Sequence, residues 1–156
     1  MEPDKTKALD RMMRLCSTGE RCRSDIIKKL DGCGLPASDV SDIVEKLCRD
    51  GYIDETRYAD AFVHDKSVLQ GWGANKIRMA LRQKRIDDRA ITSAFEDMDR
   101  EGAESKLLAV IKAKWKSLDG EADMKKKQAK LLRFALGRGY DYSEIKDAYE
   151  KIVDNI

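Results

Sequence analysis

The residues of this sequence that are best suited to chemistry are cations, and they are concentrated in a few short segments. The segment RMALRQKR, residues 78–85, holds four cations and no acid. A second acid-free segment covers residues 124–140, and four more lysines stand within residues 106–116. Such runs bind phosphates or acidic protein surfaces through steering and counterion release. A solvated helix face explains such a run about equally often.

The spacing of the first segment favours binding. At about 100° per residue, Arg78, Arg82 and Arg85 fall on one helical stripe beside an apolar face. Surface helices usually interleave acids at i+4, and here the acids are concentrated elsewhere in the chain, although the net charge is only +2. The predicted binding residues are Lys76, Arg78, Arg82, Lys84, Arg85, Lys125, Lys126, Lys127, Lys130 and Arg133.

Catalytic and metal-binding patterns are missing from the sequence. It contains no phosphate loop and no G-x-S-x-G motif, so we expect a protein that is not an enzyme and needs no cofactor. No pair of cysteines has C-x-x-C spacing, and the only histidine, His64, is distant from them. We therefore predict reduced thiols and no metal. The cysteines are Cys16, Cys22, Cys33 and Cys48.

The sequence also predicts a cytoplasmic protein. Its N-terminus has no apolar stretch of the kind found in signal peptides. Its longest aliphatic run, residues 107–111, is far shorter than the roughly 20 residues that span a bilayer.

The elements that position these cations follow from a threefold repeat of apolar residues. The first copy consists of Ile26, Leu30, Leu35, Val40, Val44 and Leu47. The second copy, 51 residues later, consists of Ile77, Leu81, Ile86, Ile91, Phe95 and Met98. The third copy, a further 54 residues on, consists of Leu131, Ala135, Tyr140, Ile145, Tyr149 and Ile152. Their spacing predicts two helices joined by a tight turn in each copy.

A further amphipathic segment precedes each helix pair, which gives three helices per repeat. The predicted fold is all-α, a tandem array of three three-helix repeats in a curved, elongated, right-handed arrangement. The expected boundaries are residues 1–50, 51–99 and 100–156, with longer helices in the last repeat. We expect a longer, lysine-rich connection around SLDGEADMKKKQ in the third repeat.

Two motifs in the middle repeat carry a family resemblance. The pattern G-Y-I-D-x-x-R-Y-A-x-x-F-V begins at Gly51, and G-x-x-K-I-x-x-x-L-x-x-K-x-I-D begins at Gly73. Together they resemble the central signature of the RecX family, which regulates the bacterial recombinase RecA, and weaker similarity covers nearly the whole chain. The signature residues are Gly51, Asp54, Arg57, Tyr58, Ala59, Phe62, Ile77, Leu81 and Ile86.

Two positions depart from the family pattern. Cys22 stands where the family usually has a helix-capping serine, which predicts a weaker cap. Arg85 stands where a glycine usually follows the lysine, whereas the other two repeats keep that glycine as Gly34 and Gly139.

The resemblance implies a monomer that binds in the groove of the RecA–DNA filament. It further implies that such binding restrains strand exchange and coprotease activity or promotes filament disassembly. One alternative is a helical DNA-binding protein that needs no recombinase, since three-helix units resemble helix-turn-helix modules. A weaker alternative is a helical adaptor with an unrelated partner. Trp72 fits a packing role better than base stacking.

Overall fold

The computed structural model describes residues 4–154, and every regular element in that range is helical. The α-helices of this range are α1 (Lys5–Ser17), α2 (Arg23–Leu30), α3 (Ala37–Arg49), α4 (Glu55–His64), α5 (Ala74–Gln83), α6 (Asp88–Glu96), α7 (Arg100–Ser117), α8 (Met124–Gly137) and α9 (Tyr142–Asp154). A short 3-10 helix, Asp31–Cys33, follows α2, and a π-helical segment, Asp65–Leu69, follows α4. The all-α prediction with three helices per repeat is confirmed.

Burial follows the repeat that the sequence predicts. None of the eighteen apolar positions in the three copies is exposed, and thirteen of them are buried. Ile26, Ile77 and Leu131, which occupy the same position in the three copies, are 0%, 0% and 2% exposed. Each copy therefore contributes the same inward-facing stripe to a helix pair.

Aspartates begin several of the helices. The Asp54 side chain accepts a hydrogen bond from the backbone N–H of Arg57 at 3.0 Å. Asp123 accepts from the backbone N–H of Lys125 at 3.0 Å, and Asp141 accepts from that of Glu144 at 2.9 Å. An aspartate at this position satisfies backbone donors that have no partner inside the helix. The lysines of MKKKQ consequently lie inside α8, and the connection before them is only residues 118–123.

The turn after α5 corrects the predicted binding stripe. α5 ends at Gln83, so Arg85 lies in the turn and not on the helix face with Arg78 and Arg82. The backbone N–H of Arg85 bonds to the Arg82 carbonyl at 2.9 Å, and that of Ile86 bonds to the Leu81 carbonyl at 3.1 Å. This is the Schellman arrangement, which requires a left-handed residue, and Arg85 accordingly has φ +60°.

The chain divides into two compact units, each of which contains two separate stretches of the sequence. The first unit contains residues 4–61 with Leu81–Glu96, and the second contains Phe62–Ala80 with residues 97–154. A core cluster of the first unit consists of Ala8, Met12, Ile26, Leu30, Ile43, Val44, Leu47 and Ile53. A core cluster of the second unit consists of Leu107, Ile111, Trp115, Leu131, Ala135, Tyr140, Ile145 and Ala148.

In the second unit, the loop before α5 is fixed to the turn between α8 and α9. The backbone N–H of Gly73 bonds to the Arg138 carbonyl at 2.7 Å, and that of Asn75 bonds to the Gly139 carbonyl at 3.1 Å. A Cβ at Gly73 would lie 2.2 Å from the Gly139 carbonyl carbon, so the two backbones approach too closely for any other residue. The start of α5 is therefore held by backbone contacts.

Candidate functional site

The family-signature residues are structural in this protein. Gly51 has φ +80° at the end of α3, and Tyr58, Ala59, Ile77, Leu81 and Ile86 are buried. Phe62 is partly buried. The Arg57 guanidinium donates to Glu20 at 2.8 Å and to the Gly51 carbonyl at 3.1 Å, so this arginine holds the start of α4 within the first unit. These side chains therefore support the helices that carry the candidate binding residues.

The segment that is free of acids in the sequence meets acids in space. Lys84 Nζ lies 2.6 Å from Asp25 Oδ1, a contact that joins residues 59 positions apart. Arg82 Nε lies 3.7 Å from Asp88 Oδ1, and both side chains are largely exposed. The absence of acids from this segment therefore does not leave Lys84 unpaired, and Arg82 has only a weak partner. The spacing of residues within the helix could not reveal Asp25 or Asp88 as partners, because both lie outside residues 78–85.

Lys84 is held in place by a half-buried carboxylate. Asp25 also accepts a hydrogen bond from the backbone N–H of Cys22 at 3.3 Å, at the start of α2. Burial alone would raise the pKa of Asp25, but the hydrogen bonds from Lys84 and Cys22 outweigh burial and lower that pKa. Lys84 therefore stabilises the first unit.

Arg78 belongs to the second unit, where it lies near Glu144 at the start of α9. Burial, together with the neighbouring charge of Asp141, raises the pKa of Glu144 to about 7, and the positive charge of Arg78 opposes that rise. Arg78 is partly buried, whereas Arg82 and Arg85 of the first unit are exposed. The three arginines thus differ in their surroundings.

The basic start of α8 also divides into two groups. Lys127 is only 9% exposed; its Nζ lies 3.2 Å from Asp119 Oδ1 and 4.0 Å from the centre of the Trp115 ring. Lys130 donates to Glu121 Oε2 at 2.7 Å, and this hydrogen bond lowers the pKa of Glu121. These two predicted binding residues are therefore engaged inside the second unit.

Four of the predicted cations remain exposed without a side-chain partner among residues 4–154. They are Arg85, Lys125, Lys126 and Arg133. With the weakly paired Arg82, they form the set that we call the exposed cations. Arg82 and Arg85 belong to the first unit, and Lys125, Lys126 and Arg133 belong to the second.

The second unit also contains a cation–aromatic cluster that the charge pattern did not reveal. Lys66 Nζ lies 4.6 Å and Lys76 Nζ 4.1 Å from the centre of the Trp72 ring. Trp72 packs edge-to-face against Phe62, with the ring centres 6.3 Å apart, and it is partly exposed. The predicted packing role of Trp72 thus applies to one part of the ring. Lys66 was missed because it stands alone in a stretch that contains acids.

A second aromatic ring of this unit carries cations in the same way. Lys114 Nζ lies 4.8 Å from the centre of the Phe134 ring, and the Arg138 guanidinium lies 5.6 Å from it. Arg138 also donates to the carbonyls of Gly71, at 2.9 Å, and Gln70. Arg138 therefore holds the loop before α5, although its position in the acid-free segment suggested a role in binding.

The part of the chain that the structure describes contains no metal-binding group of side chains and no helix that could span a membrane. Residues 4–154 bring no three His, Cys, Asp or Glu side chains into a metal-binding group, and the four cysteines are free thiols. Cys22 is fully buried, and burial raises the pKa of its thiol. Across the same residues, every helix is too short or too polar to cross a membrane.

Comparisons with known proteins relate this arrangement to a single family. The model of the RecX second three-helix domain matches residues 54–94, and that of the RecX third three-helix domain matches residues 103–149. The regulatory protein RecX of Chlorobium phaeobacteroides is 30% identical over 151 residues, which cover 97% of both chains. The regulatory protein RecX of Clostridium botulinum is 32% identical over 127 residues, but the chain spans only 59% of that relative's length.

Solved structures give the same result for the fold. A crystal structure of regulatory protein RecX is 27% identical and has a TM-score of 0.80, covering 96% of this chain and 71% of the other. The crystal structure of RecX from Lactobacillus salivarius is 21% identical with a TM-score of 0.80, and the match covers 97% of both chains.

Proposed function

The chain belongs to the RecX family, and from this premise we propose that it binds the RecA–DNA filament and restrains RecA recombinase and coprotease activity in DNA repair. It acts by binding and not by catalysis. The observation that carries this proposal is the set of exposed cations. These are the predicted binding residues whose charge the fold does not use for its own ion pairs or ring contacts, together with the weakly paired Arg82. Both compact units contribute to that set, so each of them offers a positive surface to a polyanionic filament.

The exposed cations can bind an anion with little loss of stability of the fold. Arg85, Lys125, Lys126 and Arg133 have no carboxylate partner within residues 4–154, so binding an anion breaks no ion pair of these side chains. Surface charges of this kind contribute mainly to association rate and salt dependence. A phosphate backbone, or an acidic protein surface of the filament, is the partner that such charges attract.

The alternative function, binding to DNA without a recombinase, is supported by the cluster of Lys66, Trp72 and Lys76. A partly exposed ring beside two lysines is the combination that single-stranded nucleic-acid binders use, where bases stack on the ring and cations meet the phosphates. In this alternative, affinity for naked DNA is high and RecA adds nothing to it.

Co-sedimentation distinguishes the two functions. The protein is mixed with preformed RecA filaments on single-stranded DNA and, separately, with the same DNA alone, at several salt concentrations. Our proposal expects tighter association with the filament than with naked DNA, together with inhibition of strand exchange. Equal affinity for both, with an unchanged salt slope, would favour the alternative function instead.

Charge variants test which residues take part. Changing Lys125, Lys126 and Arg133 together to Gln should weaken association and flatten its salt dependence by up to about three contacts' worth. The same is expected, with about two contacts' worth, when Arg82 and Arg85 are changed. Lys28 and Lys29, two exposed lysines of α2, provide a control in which two charges are removed elsewhere. If both sets of variants bind the filament as tightly as the parent protein does, the exposed cations are not part of the interface.

A further inference from the structure

The second unit contains a lysine-lined pocket that the proposed function does not use. It has a volume of about 700 Å³ and lies among residues of α7, of the start of α8 and of the end of α9. Four lysines line it, namely Lys112, Lys116, Lys127 and Lys151, together with the ring of Trp115 and the carboxylate of Asp119. A volume of this size is typical of sites for small ligands.

One of these lysines is fixed in position before any ligand arrives. Lys127 is nine-tenths buried, and its Nζ lies 4.0 Å from the centre of the Trp115 ring. Trp115 in turn packs edge-to-face against Tyr149, with the ring centres 5.0 Å apart. A charge that is already desolvated and oriented loses little conformational entropy when it binds an anion.

The lysines of the pocket are not balanced by acids. Three of these lysines, Lys112, Lys116 and Lys127, line the pocket beside a single carboxylate, that of Asp119, whose side chain is 71% exposed. Lys112 and Lys116 are exposed and form no ion pair with any residue from 4 to 154. The pocket therefore has an excess of positive charge, because Asp119, the one acid among its lining residues, pairs with Lys127 and leaves Lys112 and Lys116 unbalanced.

Helix stabilisation explains only half of these lysines. Lys116 and Lys151 stand in the last turns of α7 and α9, where a cation interacts favourably with the helix dipole. Lys112 lies before the last turn of α7, and Lys127 stands near the N-terminus of α8, where the dipole repels a cation. Trp115 and Asp119 hold Lys127 at its position, but the position of Lys112 needs another explanation.

We propose that this pocket binds the phosphate groups of a polyphosphate-bearing ligand, with Lys112, Lys116 and Lys127 as its cationic contacts. Lysine binds phosphate as a point charge, and several lysines in one concavity suit an anion with more than one charge. Trp115 is only 8% exposed, so its face is not open to a base, and recognition rests on the phosphates. Asp119, being largely exposed, can turn away when an anion takes its place on Lys127.

Titration with pyrophosphate tests the pocket directly, because it requires neither RecA nor DNA. Calorimetry on the full chain should show saturable binding at one site. Changing Lys112 and Lys116 together to Gln should weaken that binding by about tenfold or more, given the usual value of hydrogen bonds to charged groups. The double change Lys28→Gln and Lys29→Gln removes the same charge from the first unit and should leave the affinity unchanged. No saturable binding, or an equal loss in the control, would overturn the proposal.

A change of the opposite kind guards against a purely structural effect. Asp119→Asn removes the only acid of the pocket and should tighten pyrophosphate binding severalfold, whereas an unchanged or weaker affinity would contradict the proposal. A short single-stranded oligodeoxynucleotide then identifies the source of the phosphate. Displacement of pyrophosphate assigns the pocket to a nucleic-acid backbone, and coexistence of the two assigns it to a free polyphosphate. Neither result depends on the proposed binding to RecA.

Discussion

The basic segments of α5 and α8 are similar in sequence but differ in how the fold uses them. In the α5 segment, Lys84 stands just beyond the helix end and pairs with Asp25, 59 positions away. In the α8 segment, Lys127 stands near the helix start and pairs with Asp119, only 8 positions away. The α5 segment thus gives Lys84 to the fold, the α8 segment gives Lys127, Lys130 and Arg138, and each segment keeps other cations exposed.

The difference concerns the helix dipole. Cations near the C-terminus of α5 are stabilised by that dipole, whereas Lys125 and Lys126 at the N-terminus of α8 are repelled by it. Exposed lysines at the N-terminus of a helix do not stabilise that helix. An anionic partner therefore explains Lys125 and Lys126 better than helix stability does. The α8 cations are therefore stronger candidates for binding residues than those of α5.

The largest expected effect concerns the core side of α5. Leu81 is fully buried, and Leu81→Ala should lower the free energy of unfolding by about 2–5 kcal/mol. Met79 of the same helix is 62% exposed, so Met79→Ala serves as the control and should change stability by about 0.5 kcal/mol or less. Urea unfolding monitored by circular dichroism gives both values. Similar midpoints for the two variants would show that α5 does not bury its Leu81 side.

The next largest effect separates two neighbouring lysines of α8. Lys127→Gln removes a buried cation from Trp115 and Asp119, and the expected loss of stability is about 1–2 kcal/mol. Lys126→Gln changes an exposed side chain, should leave stability within about 0.5 kcal/mol, and should weaken filament association. If the two variants have the same thermal unfolding midpoint, Lys127 does not stabilise the fold. It is then again a candidate for binding the filament.

The residues changed in these variants also show which features of the fold can be predicted from the sequence. The apolar repeat predicts the helices and their buried faces, because periodicity within a helix is a local property that the chain carries in order. The partners of Lys84 and Arg138 are not local, since Asp25 and the Gly71 carbonyl reach them only after the helices have packed. The π-helical segment Asp65–Leu69 was missed for a similar reason: no residue type specifies it.

A smaller effect is expected from Lys84, and it depends on pH. The folded pKa of Asp25 is lowered, so its pairing contributes stability that is present above the ordinary pKa of 3.8 and is lost as pH falls through the folded pKa. Lys84→Gln should therefore cost about 1 kcal/mol at neutral pH and progressively less in acid. Arg82→Gln, whose partner Asp88 is 82% exposed, is the control and should show no such convergence. A constant difference between Lys84→Gln and the parent at all pH values would contradict this role.

The turn at Arg85 allows the sharpest comparison, because the third repeat supplies a natural control. Gly139, 54 residues later, occupies the same Schellman position with φ +97°, and its N–H bonds to the Leu136 carbonyl at 3.0 Å. Arg85 adopts the equivalent left-handed conformation, which disfavours any residue with a Cβ. The protein thus keeps a strained arginine at a position where glycine would fit better.

Two substitutions separate the strain at Arg85 from its charge. Arg85→Gly relieves the left-handed strain and should raise the free energy of unfolding by up to about 1 kcal/mol, while removing one exposed cation. Arg85→Gln removes the same cation but keeps a Cβ, so its stability should remain close to that of the parent. Both variants should bind RecA filaments more weakly, with a salt slope reduced by about one contact. Such a result means that the strain persists because the side chain is needed for binding. If Arg85→Gly is more stable and still binds as the parent does, Arg85 lies outside the interface, and the cations of α8 become the remaining candidates.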